Sequence, residues 1–129
     1  MIKSGILNPN VLSLLSRVRH TNTLVIADRG FPFWPMIETV DLSLVDDIPK
    51  VLEVLQAVRE QAVFGKAWMA EEFAKNNSRS TIDDFAAGLK DISLSYEPHV
   101  EFKKRVPEAI GLIRTGETIQ YANIILESA

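Results

Sequence analysis

His20 to Pro35 reads His-Thr-Asn-Thr-Leu-Val-Ile-Ala-Asp-Arg-Gly-Phe-Pro-Phe-Trp-Pro, and the rest of the chain is organised around this stretch. Its centre, Leu24 to Ala27, is an unbroken apolar run between polar and Gly/Pro-containing flanks, which predicts a strand buried on both faces. Asp28 closes the run, and open α/β sheets bind their ligands at the carboxyl ends of strands. The residues that follow, through Pro32, are typical of a turn. The stretch therefore predicts a binding site at the edge of a sheet, with Asp28 in it.

The composition indicates one globular domain spanning residues 1–129. An apolar fraction of 47% and a charged fraction of 24% argue against disorder. The net charge is −3 and no block of like charge is present, so the sequence lacks the basic cluster that nucleic-acid binding requires. No apolar run is long enough to cross a bilayer, and the N-terminus lacks the apolar core of a signal peptide, so we expect a cytoplasmic protein with no membrane partner. Because there is no cysteine, disulfides, thiolate zinc sites and a cysteine nucleophile are excluded.

Helices are predicted at four places. Asn8-Pro9 is a cap followed by a first helical residue, and the apolar spacing after it predicts a helix to about Arg17. A second apolar stripe, with Asp47 as its expected cap, runs from Val51 to about Val63. Ser80 or Thr81 is expected to cap a third helix that reaches Leu89. Residues 100–105 are expected to form one or two further helical turns before Pro107.

Strands alternate with these helices along most of the chain. The expected strands after the first are Glu38–Leu44, Ile92–Tyr96, Ile110–Arg114 and Ala122–Leu126. Residues 66–70 fit either a short strand or a helix that continues through Ala74. This order predicts an α/β domain of three layers, with a mostly parallel sheet, helices on both faces and a differently paired C-terminal edge.

The two histidines, His20 and His99, both lie in connections next to strand ends. A histidine in a loop is more often solvated or structural, but two of them together with Asp28 could move protons in either direction at neutral pH. A metal site from these residues and Glu101 is a weaker alternative, because no pair has the spacing of a known metal motif. Neither a Gly-x-Ser-x-Gly elbow, a P-loop nor a dinucleotide fingerprint is present. We therefore predict no metal and no cofactor.

Two further pairs of polar residues are candidates for a site. His99 and Lys103 share a face if a helix begins near Pro98, although a surface lysine is the simpler interpretation. Tyr121 and Asn123 point to one side if a strand begins at Tyr121, and a phenol with a carboxamide suits a ligand rich in hydroxyl groups. An edge strand with its polar face in water explains the second pair equally well.

The combination of motifs resembles one family along nearly the whole chain, the ribose and fucose mutarotases. The resemblance rests on four separate segments and one C-terminal block. The segments are Ile6-Leu7-Asn8-Pro9, His20-Thr21, Val25-Ile26-Ala27-Asp28-x-Gly-x-Pro and His99-x-Glu101-Phe102-Lys103. The block consists of Ile113-Arg114-Thr115-Gly116-Glu117 and Tyr121-Ala122-Asn123-x-Ile125-Leu126. The last block is the most specific of them.

The resemblance implies an isomerase of carbohydrate metabolism that interconverts pyranose and furanose forms, or anomers, of a free monosaccharide such as D-ribose without cofactor or metal. It implies that His20 is catalytic and that Asp28, His99 and the segment Tyr121 to Asn123, which includes Ala122, bind the sugar, with Lys103 near the site. It also implies a homo-oligomeric ring, a pentamer or a decamer, with sites between subunits. The alternative is a sugar-binding or transport-associated ring protein without catalysis.

The chain departs from the family around the predicted site. Arg19 stands where the family usually has glycine, Asn22 replaces a common aspartate, and the turn after Asp28 carries Arg29 and is one residue longer at Trp34. The two arginines are either solvated surface charges or a preference for an acidic or phosphorylated sugar, since arginine pairs well with carboxylate and phosphate. Trp34 either stacks on a sugar or covers the loop. The identity of the sugar therefore stays open at this point.

The spacing along the first strand leads to one geometric hypothesis. His20 and Asp28 flank the same strand, so at about 3.3 Å per residue they are separated by roughly 15–25 Å. A monosaccharide is far smaller than this distance. We therefore expect a composite site, with His20 and Asp28 contributed by two different chains.

Overall fold

The computed structural model describes all 129 residues and contains a six-stranded sheet. Its strands are β1 (Thr23–Ala27), β2 (Glu38–Asp41), β3 (Phe64–Ala70), β4 (Ser93–Glu97), β5 (Gly111–Arg114) and β6 (Ile124–Ser128), in the spatial order β2-β5-β1-β6-β3-β4. The pairs β1–β5, β2–β5 and β3–β4 are parallel, whereas β6 is antiparallel to both β1 and β3. Every side chain of Leu24 to Ala27 is fully buried, as the apolar run predicts for a central strand.

Helices cover the two faces of this sheet unequally. They are α1 (Pro9–Arg17), α2 (Val51–Arg59), α3 (Glu71–Asn76), α4 (Arg79–Gly88) and α5 (His99–Arg105), and a 3-10 turn follows at Val106–Glu108. Helices α1 to α4 pack with Leu24 and Ile26 in the larger apolar core. Helix α5 and the 3-10 turn pack with Val25 and Ala27 in the smaller core on the other face. The three-layer α/β architecture with helices on both faces is therefore confirmed.

The position of the antiparallel strand differs from the prediction. The C-terminal strand was expected at an edge, but β6 lies inside the sheet, between β1 and β3. Residues 124 to 126 are completely buried. An interior position stabilises such an apolar strand most, because it removes the largest apolar area from water. None of the helices is both long enough and apolar enough to cross a lipid bilayer.

Element boundaries follow local chemistry. Asn8 caps α1, because its Oδ1 accepts hydrogen bonds from the main-chain N–H groups of Asn10 (2.9 Å) and Val11 (3.0 Å). Residues 66–74 combine both alternatives, because β3 ends at Ala70 and α3 begins at the next residue. Ser78, rather than Ser80 or Thr81, caps α4 through its side chain.

Asp47 does not cap α2. The first residue of that helix, Val51, donates its N–H to Oε1 of the buried Glu117 instead (3.2 Å). The carboxylate of Asp47 accepts hydrogen bonds from the main chain and hydroxyl of Thr118 (3.2 and 2.7 Å). These contacts fold the loop after Asp41 back across the 115–118 segment, which is why β2 ends earlier than the alternating pattern suggested.

Candidate functional site

An open cleft of about 390 Å³ lies at the carboxyl end of β1. It is large enough for a monosaccharide and is mostly polar, as a site for a hydroxyl-rich ligand should be. The chain reaches the cleft at three separate places, which are the turn after β1, the start of α5 and the loop before β6. The lining residues are Asp28, Gly30, Phe31, Pro32, His99, Gln120, Tyr121 and Asn123.

Asp28 is half-buried at the base of the cleft. Its main-chain N–H donates to Oδ1 of Asn123 (2.7 Å), and its own Oδ1 accepts from the N–H of Gly30 (3.0 Å). Burial raises the pKa of the Asp28 carboxyl above its ordinary value, although hydrogen bonds from Gly30, Asn123 and Phe31 oppose the shift. A carboxylate with a raised pKa is a stronger base, which suits proton transfer at this position.

Arg114 holds the turn that carries Asp28. Its guanidinium donates to the main-chain oxygens of Asp28 (3.1 Å), Arg29 (3.3 Å) and Pro32 (3.4 Å). The fully buried Thr115 also anchors the end of β1, because its hydroxyl donates to the main-chain oxygen of Ala27 (2.8 Å). The turn is therefore fixed from β5, and Asp28 is held in place before any ligand arrives.

His99 is the first residue of α5 and lies in an aromatic environment. Its ring meets Phe31 and Tyr121 edge-on, with centroids 6.2 and 5.1 Å away, and stacks on Phe102 at 5.9 Å. Burial lowers the pKa of the imidazole, and the nearby Lys103 lowers it further. The ring is therefore neutral at pH 7 and able to accept a proton. Nδ1 is buried without a hydrogen-bond partner, which leaves Nε2 as the nitrogen available to a ligand.

Tyr121 and Asn123 line the same cleft, but not as neighbours on a strand. Strand β6 begins only at Ile124, and Tyr121 has a left-handed backbone (φ 57°) in the preceding loop. Asn77 holds this loop, because its Nδ2 donates to the main-chain oxygen of Gln120 (2.9 Å). Both side chains do line the same cleft, but a turn rather than a strand places them there. The sequence pattern did not predict this turn.

His20 lies far from the cleft within the same chain. It is exposed in the turn before β1, where Thr21 donates its N–H to the main-chain oxygen of Ser128 (3.1 Å). Because β6 runs antiparallel to β1, Ser128 marks the opposite end of the sheet from Asn123 and Asp28. The structure thus brings Asp28, His99, Tyr121 and Asn123 together and leaves His20 apart.

Two other predicted residues stand beside the cleft rather than in its lining. Lys103 lies one helical turn after His99, in a neighbouring groove with Pro32 and Trp34. Its positive charge adds to the effect of burial in lowering the pKa of the His99 imidazole. Ala122 is completely buried in the larger core, so any contact that it makes with a ligand is through its main chain.

The unusual arginines already have partners within the chain. The Arg29 guanidinium lies 2.6 Å from Oδ1 of Asp46, and Arg19 donates to the main-chain oxygens of Ser16 (2.5 Å) and Val18 (3.1 Å) at the end of α1. Both are exposed and neither lines the cleft. This arrangement favours their interpretation as surface charges. Trp34 packs against the smaller core and covers the loop.

Of the alternative metal set, the structure brings only Asp28 and His99 to the same cleft. No group of three or more His, Asp or Glu side chains lies close enough together to hold a metal ion. Glu101, which completed the alternative metal set, is exposed and pairs with Lys104 at 2.9 Å.

Sequence reasoning missed several residues that build the site. Phe31 and Phe102 enclose His99, Gln120 lines the rim, and Glu72 contacts the main chain of His99. The sequence placed Phe31 in the turn after Asp28 and Phe102 in a motif shared with the mutarotases, but it placed neither beside an imidazole. Glu72 gave no signal at all, because its contact with His99 joins two helices that are distant in sequence.

The whole chain, residues 1–129, matches the model of the RbsD / FucU transport protein family. It is 39% identical over 128 residues to the D-ribose pyranase of Bacillus cytotoxicus, covering 99% of this chain and 97% of that one. It is 40% identical over 128 residues to the D-ribose pyranase of Geobacillus thermodenitrificans, covering 99% and 96%.

Solved structures agree with this result. The structure of Bacillus subtilis RbsD complexed with D-ribose superposes with a TM-score of 0.92 at 32% identity and covers 100% of this chain and 98% of that one. FucU from Bifidobacterium longum shares the fold, with a TM-score of 0.82 at 23% identity over 95% of each chain. The chain therefore belongs to the RbsD / FucU transport protein family.

Proposed function

We propose that this protein is a cofactor-independent sugar mutarotase of the D-ribose pyranase type, an isomerase that interconverts the pyranose and furanose forms, or the anomers, of a free monosaccharide such as D-ribose. One observation carries the proposal. The cleft brings a carboxyl group with a raised pKa, a neutral imidazole, a phenol and a carboxamide together in a volume that fits one sugar. Full-length similarity to D-ribose pyranases supports the same activity.

The reaction requires only acid–base chemistry. Opening a hemiacetal ring removes a proton from the anomeric hydroxyl and delivers one to the ring oxygen, and closing the ring on another hydroxyl reverses these roles. The reaction involves no oxidation or reduction, and it requires no covalent intermediate with the protein.

Each side chain has a part in this scheme. Asp28 and the neutral His99 bind sugar hydroxyls and supply the base, while Tyr121 and Asn123 orient the sugar, since both donate and accept hydrogen bonds. Burial, with the added charge of Lys103, keeps the imidazole neutral by lowering its pKa, and Ala122 offers its main chain. His20 is the main proton donor.

His20 performs this role in the cleft of a neighbouring subunit. Within one chain it stands at the other end of β1 from Asp28, so no monosaccharide reaches both. Its exposure in the turn before β1 leaves it free to enter a second copy of the protein. The proposed site is therefore composite, and the active form is the homo-oligomeric ring, a pentamer or a decamer, that the resemblance to the mutarotases implies.

Exposed apolar side chains support such an assembly. Phe33 is 69% exposed and Met36 is 63% exposed, in the segment that follows Asp28. Leu44, Val45 and Ile48 are also exposed, in the loop that folds across the 115–118 segment. Side chains of this kind so close to a polar cleft favour a protein partner, and a second copy of the chain fits the composite site.

Exchange NMR on sugars at equilibrium tests the activity. Magnetisation transfer between the pyranose and furanose signals of D-ribose should accelerate in proportion to protein concentration. L-Fucose and ribose 5-phosphate serve as comparison sugars. Tighter binding of ribose 5-phosphate than of D-ribose would indicate an anionic substrate. Tight binding of sugars without accelerated exchange would refute catalysis and favour the sugar-binding or transport-associated alternative.

A further inference from the structure

The helix that follows β3 supports the cleft from behind. Both carboxylate oxygens of Glu72, on α3, face the main-chain N–H of His99, at 3.0 and 3.2 Å. His99 is the first residue of α5, and the preceding Pro98 offers no side-chain cap. Glu72 therefore caps α5 from another helix and determines where that helix begins.

The ring of His99 depends on this anchor. It stacks on Phe102 and touches Phe31 and Tyr121, but its Nδ1 has no hydrogen-bond partner that would orient it. Aromatic contacts tolerate sliding more readily than a hydrogen bond to a charged group does. The main-chain contact with Glu72 is therefore the directional contact that holds His99 at the cleft.

Glu72 also contributes charge. The ionisable groups that face His99 are Glu72 from α3, Asp28 from the turn after β1, Lys103 from α5 and Tyr121 from the loop before β6. Glu72 and Asp28 raise the pKa of the imidazole, whereas burial and Lys103 lower it.

The other end of α3 holds the opposite wall of the cleft. Nδ2 of Asn77 donates both to the main-chain oxygen of Phe73 (2.8 Å) and to that of Gln120 (2.9 Å). The segment that carries Tyr121 and the start of α5 are thus both tied to one short helix.

We propose that Glu72 is a positioning residue, which holds His99 at the cleft through its main-chain N–H and balances the charge of Lys103. The role of His99 in sugar ring interconversion rests on the proposed function. The position of His99 and its titration do not depend on that function.

The test compares three variants. Glu72→Gln keeps an acceptor oxygen and removes the charge, and Glu72→Ala removes both. Glu71→Gln is the matched control, because Glu71 precedes Glu72 on the same helix and only approaches the surface Lys75 (3.8 Å). In a His20→Ala background His99 is the only histidine, so its ring resonance can be followed by NMR without ambiguity.

Glu72→Gln should lower the pKa of His99, whereas Glu71→Gln should leave it unchanged. Glu72→Ala, made in the otherwise unaltered protein, should lower kcat/KM for ring interconversion by about 10- to 100-fold, since small displacements of a reacting group have effects of this size. Glu72→Gln should recover most of this loss at its own pH optimum.

An unchanged His99 titration in Glu72→Gln would overturn the proposal, and so would equal effects of Glu72→Gln and Glu71→Gln. If the titration shifts as expected but no sugar exchange is catalysed, the positioning role stands and the proposed function fails.

Discussion

His20→Ala is expected to lower the rate of sugar ring interconversion by about 10²- to 10⁴-fold, the usual contribution of a general acid or base. The free energy of unfolding should change by less than about 0.5 kcal/mol, because the side chain is exposed in a turn and supports no core. Affinity for the sugar should fall far less than the rate. Exchange NMR, thermal unfolding and sugar titration measure these three quantities separately.

Arg19→Ala is the matched control for His20→Ala. Arg19 is the adjacent exposed residue, and its guanidinium is bound to main-chain oxygens at the end of α1. We expect ring exchange of D-ribose within about threefold of the original rate, because the Arg19 guanidinium is already held by its own chain and carries no transferable proton at neutral pH. Equal losses in both variants would indicate damage to the turn rather than removal of a proton donor.

Gly116→Ala is expected to destabilise the protein by about 2–4 kcal/mol, which corresponds to a fall in Tm of roughly 10 °C. A Cβ at this position would lie 2.3 Å from the main-chain oxygen of Val45 and 2.9 Å from that of Ile48. Gly116 also donates its N–H to the main-chain oxygen of Pro49 (2.8 Å), and its own main-chain oxygen accepts from the N–H of Asp47 (2.6 Å). Since main chain surrounds it, no flexible side chain can move aside.

Gly65→Ala is the control for this experiment. An added Cβ there meets Ala129 at an ordinary van der Waals distance of 3.6 Å. Its Tm should stay within a few degrees of the original value. If Gly116→Ala unfolds at the same temperature as Gly65→Ala, the 42–50 loop does not lie as close to Gly116 as the structure places it.

The sequence predicted the parts of the fold that depend on local chemistry. The apolar run of β1, the Asn8-Pro9 start of α1 and the helix at His99 all follow from residues within one or two turns of each other. The interior position of β6 did not follow, because strand order depends on contacts between distant segments. One capping contact of α2 was missed for the same reason, since Glu117 reaches Val51 from 66 positions away.

The sequence motifs identified two kinds of residue at the candidate site. The resemblance to mutarotases named Asp28, His99, Tyr121 and Asn123, and these four side chains line one cleft. The Arg114-to-Glu117 block, however, mostly builds the frame. Arg114 holds the turn after β1, and Glu117 is buried against the start of α2. A specific motif therefore marked residues that position a site as well as residues that line it.

Mixing two inactive variants tests the central claim, a cleft of one subunit that is completed by His20 of another. His20→Ala and Asp28→Ala chains, carrying different affinity tags, are unfolded, mixed in equal amounts and refolded. Random assembly places an intact cleft next to an intact His20 at about one quarter of the sites. We predict that the doubly tagged oligomers recover about that fraction of the original exchange rate on D-ribose, whereas each variant refolded alone stays inactive. Doubly tagged oligomers that recover no activity would show that His20 and Asp28 of different subunits do not form one site.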